Sequence, residues 1–201
     1  MSKDSRKPDL SRLLELHKLL LNFQAIERYV YGTGDRPEND VEHSYHLAMI
    51  AWYIVGFFPE LNTDKVIKYA LAHDLVEVHA GDTVVFDSEQ LASKQQREEA
   101  ALKKLAKEWK DFPDMIQSLT RYEQRADEEA KFVYALDKIT PLILNIVREG
   151  HSWHKHEVSF EQLHDVKKDK VKAHPTVEEY YQDIYRILVE NPHFFPTKKS
   201  S

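Results

Sequence analysis

The chain has 201 residues, 31% of them charged, a formal net charge of -6 and no cysteine, and its mean hydropathy is -0.59. That length suits one domain with a real core, and no apolar run approaches the roughly 20 residues that a bilayer span needs. The negative balance disfavours broad nucleic-acid binding while leaving room for a local basic pocket for one phosphate, and the lack of cysteine excludes disulfides, thiolate ligands and a cysteine nucleophile and fits a reducing cytoplasm.

Five glycines and few runs of β-branched alternation point to an all-α chain. Residues 1–9 are polar, lack the apolar core of a secretory signal, and read as a disordered leader. From there Leu10, Leu13, Leu14, Leu20, Leu21 and Phe23 predict a long helix reaching Tyr29 or Val30. Gly32 and Gly34 break it, and 36–40 is a connecting loop. Asp40 suits the N-cap of a second helix, with a stripe of His43, Leu47, Ile50, Ile54 and Phe57 that closes at Pro59. A third helix follows from Asp64 to Gly81. After a loop at 83–88, a charged helix runs to about Trp109, another from Pro113 toward Arg125, and a long one over 128–148. Pro141 lies inside the last and removes the amide that would meet the carbonyl of Asp137, so a kink is expected there. Residues 150–159 form a histidine-rich link, 176–189 a final helix, and 191–201 a loose tail. Residues 10–190 read as a single domain.

The third helix carries the sharpest signal. One stripe runs Val66 and Ala70 and arrives at His73 and Glu77; the other runs Ile67 and Leu71 and arrives at Asp74. Burying an imidazole and two carboxylates without partners costs several kcal/mol, about 2–7 for each polar group, and a metal ion is one way to satisfy them. His43 and Asp137 likewise sit where apolar stripes should continue. Imidazole and carboxylate ligands without sulfur suit a divalent ion such as Mn, Co, Fe, Zn or Mg. Singly these signals are weak, because a His-Asp dipeptide is common by chance and a lone buried histidine is more often a satisfied core residue.

The order His43, His73-Asp74, Asp137 resembles the HD superfamily of metal-dependent phosphohydrolases. Arg36-Pro37-Glu38, Val41-Glu42-His43-Ser44, His73-Asp74-Leu75-Val76-Glu77, Gly81-Asp82, Glu129-Ala130-Lys131-Phe132-Val133 and Leu136-Asp137-Lys138 are similar to its 5'-deoxynucleotidase branch. The resemblance implies an HD-domain helical bundle, usually a homodimer, that removes phosphate from nucleoside 5'-monophosphates. It implies His43, His73, Asp74 and Asp137 as ligands of one divalent ion, Glu77 as the catalytic glutamate and Asp82 as a second acidic residue needed for activity. Arg28 and Tyr29 stand where that branch has an Arg-Trp pair, the arginine holding the nucleotide and the tryptophan crowding the sugar. Tyrosine at 29 leaves the choice between ribose and deoxyribose open.

His46 and His79 could face the site or merely pack, and His151, His154 and His156 lack a supporting carboxylate pattern. Trp52, Tyr53, Phe57 and Phe58 suit a core or a dimer interface. Competing readings are a phosphodiesterase, an alarmone pyrophosphohydrolase, and a non-catalytic nucleotide-binding helical module. Against the first two, the chain has no Gly-Tyr-Pro motif, no Ile-Gly-Lys run after His73-Asp74 and no well-placed Glu-Asp pair. Loss of any of the four ligands would favour the third, and all four are present.

Overall fold

A computed structural model describes residues 8–81 and 88–197, so most of the expected leader, the loop after Gly81 with Asp82, and the last four residues lie outside the described residues. Helix α1 spans Leu10–Gln24, capped by Asp9, whose carboxylate accepts the Ser11 amide hydrogen at 3.1 Å. It stops before Tyr29 because the following Glu-Arg-Tyr-Val-Tyr stretch, rich in aromatic and β-branched side chains, prefers a strand. Strands β1 (Glu27–Tyr31) and β2 (Pro37–Asn39) form a small antiparallel hairpin, with Glu27 opposite Asn39 and Tyr31 opposite Pro37. Gly34 adopts φ +74° in the connection, where a Cβ would be strained.

Helix α2 (Asp40–Val55) is capped by Asn39, not Asp40. Asn39 Oδ1 accepts the Glu42 amide at 3.0 Å, and the Glu42 carboxylate accepts the Asn39 amide at 3.2 Å. This capping box places Asp40 in the first turn, fully buried. The expected third helix is broken: α3 covers Thr63–Ala72, residues 73–76 form a turn, and α4 covers Glu77–Ala80. Its buried stripe runs Val66, Tyr69, Ala70 and His73, whereas Leu71 is exposed.

Helices α5 (Ser88–Glu108), α6 (Pro113–Glu123) and α7 (Glu128–Val147) follow. Helix α7 continues through Pro141 without interruption; residues on both sides of the proline, among them Leu136, Ile139, Leu142 and Asn145, are buried, and Asn145 Nδ2 donates to the Pro141 carbonyl at 3.0 Å. The histidine-rich link contains α8 (His151–Lys155), and α9 (Phe160–Lys167) opens with a Ser159–Gln162 capping box. A 3₁₀ turn, Val171–Ala173, leads to α10 (Pro175–Glu190). The start of the tail is not loose. Phe194 and Phe195 are buried, and Phe195 stacks on Trp153 with ring centroids 4.7 Å apart.

The fold is all-α with one small hairpin, and its core has two parts. The larger joins α2, α3, α7 and α10 through residues such as Leu47, Val66, Ala70, Phe132, Leu136 and Ile184. The smaller joins α1, α5 and α6 with Leu75 and Val76 through Leu19, Phe23, Leu105 and Leu119. His73 and Asp74 fall at the seam, between Ala70 of one cluster and Leu75 of the other.

Candidate metal centre

Each expected ligand reaches the seam for a local reason. His43 lies on the buried face of α2 with Ser44, Leu47, Ala48 and Ala51, and is fully buried. Asp137 continues the buried α7 face of Ala130, Val133 and Leu136. At the end of α3 the backbone tightens from i−4 to i−3 hydrogen bonds, including Glu77 N–H to Asp74 O at 2.8 Å. Residues three apart eclipse in such a turn, which aligns Asp74 with Glu77. The expected His73–Glu77 helical spacing is therefore replaced by a tighter arrangement that still buries both side chains.

The structure brings His43, His73, Asp74 and Asp137 together, with one potential ligand atom from each lying within 4.8 Å of the others. Ligands about 2.0–2.2 Å from a common ion fall within roughly 4.4 Å of one another, so the cluster needs little contraction to hold one. The tautomer of His73 fits as well: its Nδ1 lies 2.9 Å from the Ala70 carbonyl, the donor's position, which leaves Nε2 with a bare lone pair. That Nε2 is buried without a hydrogen-bond partner, although it lies 2.9 Å from Asp74 Oδ2 and 3.7 Å from Asp137 Oδ1. The contacts lie off the hydrogen-bond axis, as for ligands aimed at a shared point. His43 Nε2 is 2.8 Å from Asp137 Oδ1, and its Nδ1 is 3.6 Å from Glu38 Oε2. Two imidazoles and two carboxylates form a cluster able to bind a divalent metal.

The electrostatics show how strained the bare cluster is. Burial pushes His73 down, but the charges of Asp74 and Asp137 prevail and raise it to about 10. Burial would raise Asp74, yet His73 and then Arg28 hold it well below the usual carboxylate range. For Asp137 burial is likewise outweighed, by Lys138, His43 and His73. Asp40, with burial and then Asp74 acting against its charge, is pushed up to about 6.

Arg28 projects from β1 into this ring of carboxylates. Its Nη1 donates to Asp74 Oδ2 at 2.7 Å and Asp40 Oδ1 at 3.0 Å, and its Nε lies 3.9 Å from Glu38 Oε2. Glu77 is buried and groups with Asp40 and Asp74, its carboxylate within 4.8 Å of theirs. The Tyr29 ring stacks on His156 with centroids 3.5 Å apart, and Tyr29 is not among the described residues lining the adjoining cavity. Asp82 lies outside the described residues.

Glu38, Asp40 and Lys138 escaped the sequence reading as site residues. Glu38 is buried behind His43, and Lys138 pairs with Asp137. Glu38 and Lys138 fall inside stretches that carry the family resemblance, and Asp40 falls just before one. The remaining histidines have ordinary partners: His46 meets Glu38 at 3.1 Å, His79 meets Glu108 at 2.9 Å, His151 meets Asp35 at 3.0 Å, and His154 meets the His193 carbonyl at 2.9 Å.

The cluster opens into a cavity of about 760 Å³, walled by α5, α6, α7 and α9 and reached by Arg28, Asp74, Glu77 and Asp137. Such a buried His/Asp cluster, held between helices beside a polar cavity, is that of an HD domain, and the chain belongs to that family, whose model matches residues 22–178. The chain is similar to the 5'-deoxynucleotidase HDDC2 of Mus musculus, with 32% identity over 130 residues, covering 63% of this chain and 64% of that protein. The Homo sapiens protein of the same name is 31% identical over 130 residues, covering 63% of each. The match spans a little under two thirds of the length of both relatives. A crystal structure described as a predicted metal-dependent phosphohydrolase from Magnetospirillum magnetotacticum MS-1 has a TM-score of 0.72 and 28% identity, covering 92% of this chain and 97% of that one.

Proposed function

We propose that the protein is a metal-dependent phosphomonoesterase acting on nucleoside 5'-monophosphates, with His43, His73, Asp74 and Asp137 holding one divalent ion. The observation that carries this reading is the convergence of four ligand groups on the floor of a cavity with a buried glutamate beside them. Names of relatives as 5'-deoxynucleotidases support the nucleotide substrate. When bound, a divalent ion supplies a Lewis acid for a phosphoryl oxygen and lowers the pKa of water toward neutrality.

The chain's own residues do the rest. Arg28 neutralises Asp40 and Asp74 through one nitrogen and lines the cavity, so its outer edge can hold a phosphate oxygen. Glu77 is placed to take a proton from the attacking water or return one to the departing 5'-oxygen. Glu38 supplies a carboxylate 3.6 Å behind the His43 ring, near enough to orient it once the site contracts around an ion. Asp82, on the family resemblance, adds a second carboxylate.

The reading is tested by phosphate release from a panel of deoxy- and ribonucleoside 5'-monophosphates. The protein is stripped of metal and then given Mn, Co, Fe, Mg or Zn. Metal-dependent release that disappears in Asp74→Ala and Glu77→Ala supports it; silence across the panel with metal still bound overturns it.

We further propose a cytoplasmic homodimer. Among the described residues no helix is long and apolar enough to cross a membrane. Leu13, Leu20 and Leu21 of α1 and Tyr45, Met49 and Trp52 of α2, two helices that pack together, are exposed, an apolar concentration that marks an interface. Light scattering should give twice the chain mass, and Trp52→Glu should shift the protein toward monomer.

A further inference from the structure

The two walls of the cavity differ in charge. The α5–α6 side is balanced, with Glu98, Glu99 and Glu123 set among Lys94, Lys103 and Arg125, and Lys94 paired to Glu98 at 3.2 Å. The opposite wall carries Lys138, Lys167 and Lys170, and its one lining carboxylate, Asp137, is turned into the metal cluster. Lys138 is already occupied by Asp137. Lys167, at the end of α9, is only 8% exposed, yet among the described residues no carboxylate pairs with it or with Lys170.

A lysine stem often lies along apolar surface while its ammonium reaches water. That explanation serves Lys170, which is partly exposed; Lys167 is nearly all buried, and the opening it lines is the cavity. Burying an ammonium without an anion is costly. Burial, followed by the like charge of Lys138, pushes the Lys167 amine down to about 7. An arriving dianion would reverse both effects by supplying the missing counter-charge.

We infer that Lys167 and Lys170, with Lys138 beside them, form a second phosphate subsite, separate from the metal cluster, that takes the further phosphate group of a doubly phosphorylated nucleotide. The inference rests on the nucleotide reading above and specifies its substrate class. Lysine ammonium groups bind phosphate as point charges. Space allows it too, since about 760 Å³ lies high in the usual range of roughly 300–1,000 Å³ for small-molecule sites.

The test is calorimetric binding to the full, manganese-loaded chain carrying Glu77→Gln to suppress turnover, with nucleotide integrity checked by chromatography. The probes are adenosine 5'-monophosphate, adenosine 5'-diphosphate, adenosine 3',5'-bisphosphate and inorganic phosphate. At least one doubly phosphorylated nucleotide should bind about tenfold tighter than the monophosphate; Lys167→Met should cut that advantage to about twofold, and Lys167→Arg should keep most of it. Lys170→Met, at a partly exposed position, gives the same reading independently of folding at Lys167. If inorganic phosphate alone loses affinity in Lys167→Met while the nucleotide ratio stays near one, the subsite serves free phosphate and the nucleotide assignment is overturned. A ratio unchanged by both substitutions, with monophosphate still bound, overturns the subsite but leaves the phosphomonoesterase reading intact. Absence of binding by any nucleotide removes both.

Discussion

Glu77 and Asp137 are both buried carboxylates at the seam, but their surroundings assign them different work. Asp137 touches His43 and Lys138 and belongs to the ligand cluster; Glu77 stands beside it, grouped with Asp40 and Asp74. Glu77→Gln should therefore lower kcat by about 10²–10⁴, the usual contribution of a general acid or base, with metal content by plasma mass spectrometry unchanged. Asp137→Asn should lose the metal itself. Glu38→Gln, which weakens the carboxylate behind His43, should reduce metal affinity by about 10–100-fold, measured by competition with a chelating dye. That His43, His73, Asp74, Glu77 and Asp137 lie buried was legible in the sequence because each interrupts an apolar stripe, and the resemblance to a known family suggested the roles proposed for them. Glu38 stood inside the Arg36-Pro37-Glu38 stretch, but its position beside His43 is a tertiary contact with no local mark. The helical reading of the Tyr29 segment missed the short hairpin, whose strands of five and three residues carry little period.

At the scale of elements, Asp127 shows how one cap ties α7 to the rest. Its Oδ1 accepts the Ala130 amide at 2.9 Å, while Oδ2 meets Arg121 at 2.8 Å, Tyr69 at 3.0 Å and Lys65 at 3.1 Å. Burial acts to raise Asp127, but Arg121 and the Ala130 amide prevail and lower it to about 2. A folded pKa below the unfolded one gives stability that is present above the unfolded value, near 3.9, and lost as pH falls toward 2. The full linkage, discounted for screening at its open side, is about 1 kcal/mol. Urea unfolding of Asp127→Asn should thus be less stable than wild type at pH 7, with the gap closing below pH 3. Helices with long apolar patterns and strong caps, such as α2 and α7, were readable from sequence. The break at 73–76 was not, since a change from i−4 to i−3 bonding leaves no mark on composition. Nor was α9, whose eight residues hold too few turns for a clear period. The packed tail was hidden for another reason: Gly150, at φ +77°, lets the chain pass so close to Phe194 that an added Cβ would lie 1.8 Å from its carbonyl oxygen. Such tertiary proximity has no local signature.

The whole molecule places its most unfavourable charges where its two hydrophobic cores meet. Residues 73–76 connect those cores, so the cluster of His43, His73, Asp74 and Asp137 is also a joint between them. At that joint Arg28 pairs with Asp40 and Asp74 and Lys138 pairs with Asp137, offsetting the mutual repulsion of the three carboxylates. An ion that binds only the folded arrangement stabilises it by mass action, about 2.7 kcal/mol when present at a hundred times its dissociation constant. For a chain of this size each kcal/mol moves the melting midpoint by roughly 2–4 °C, so saturating Mn should raise Tm by about 5–10 °C over chelator-treated protein. The shift should vanish in His73→Ala, which breaks the ligand set at the seam, and persist in Glu77→Gln, which leaves it whole. A midpoint insensitive to every divalent ion would show that the four groups are a structural charge network, and would remove the metal from the proposed chemistry.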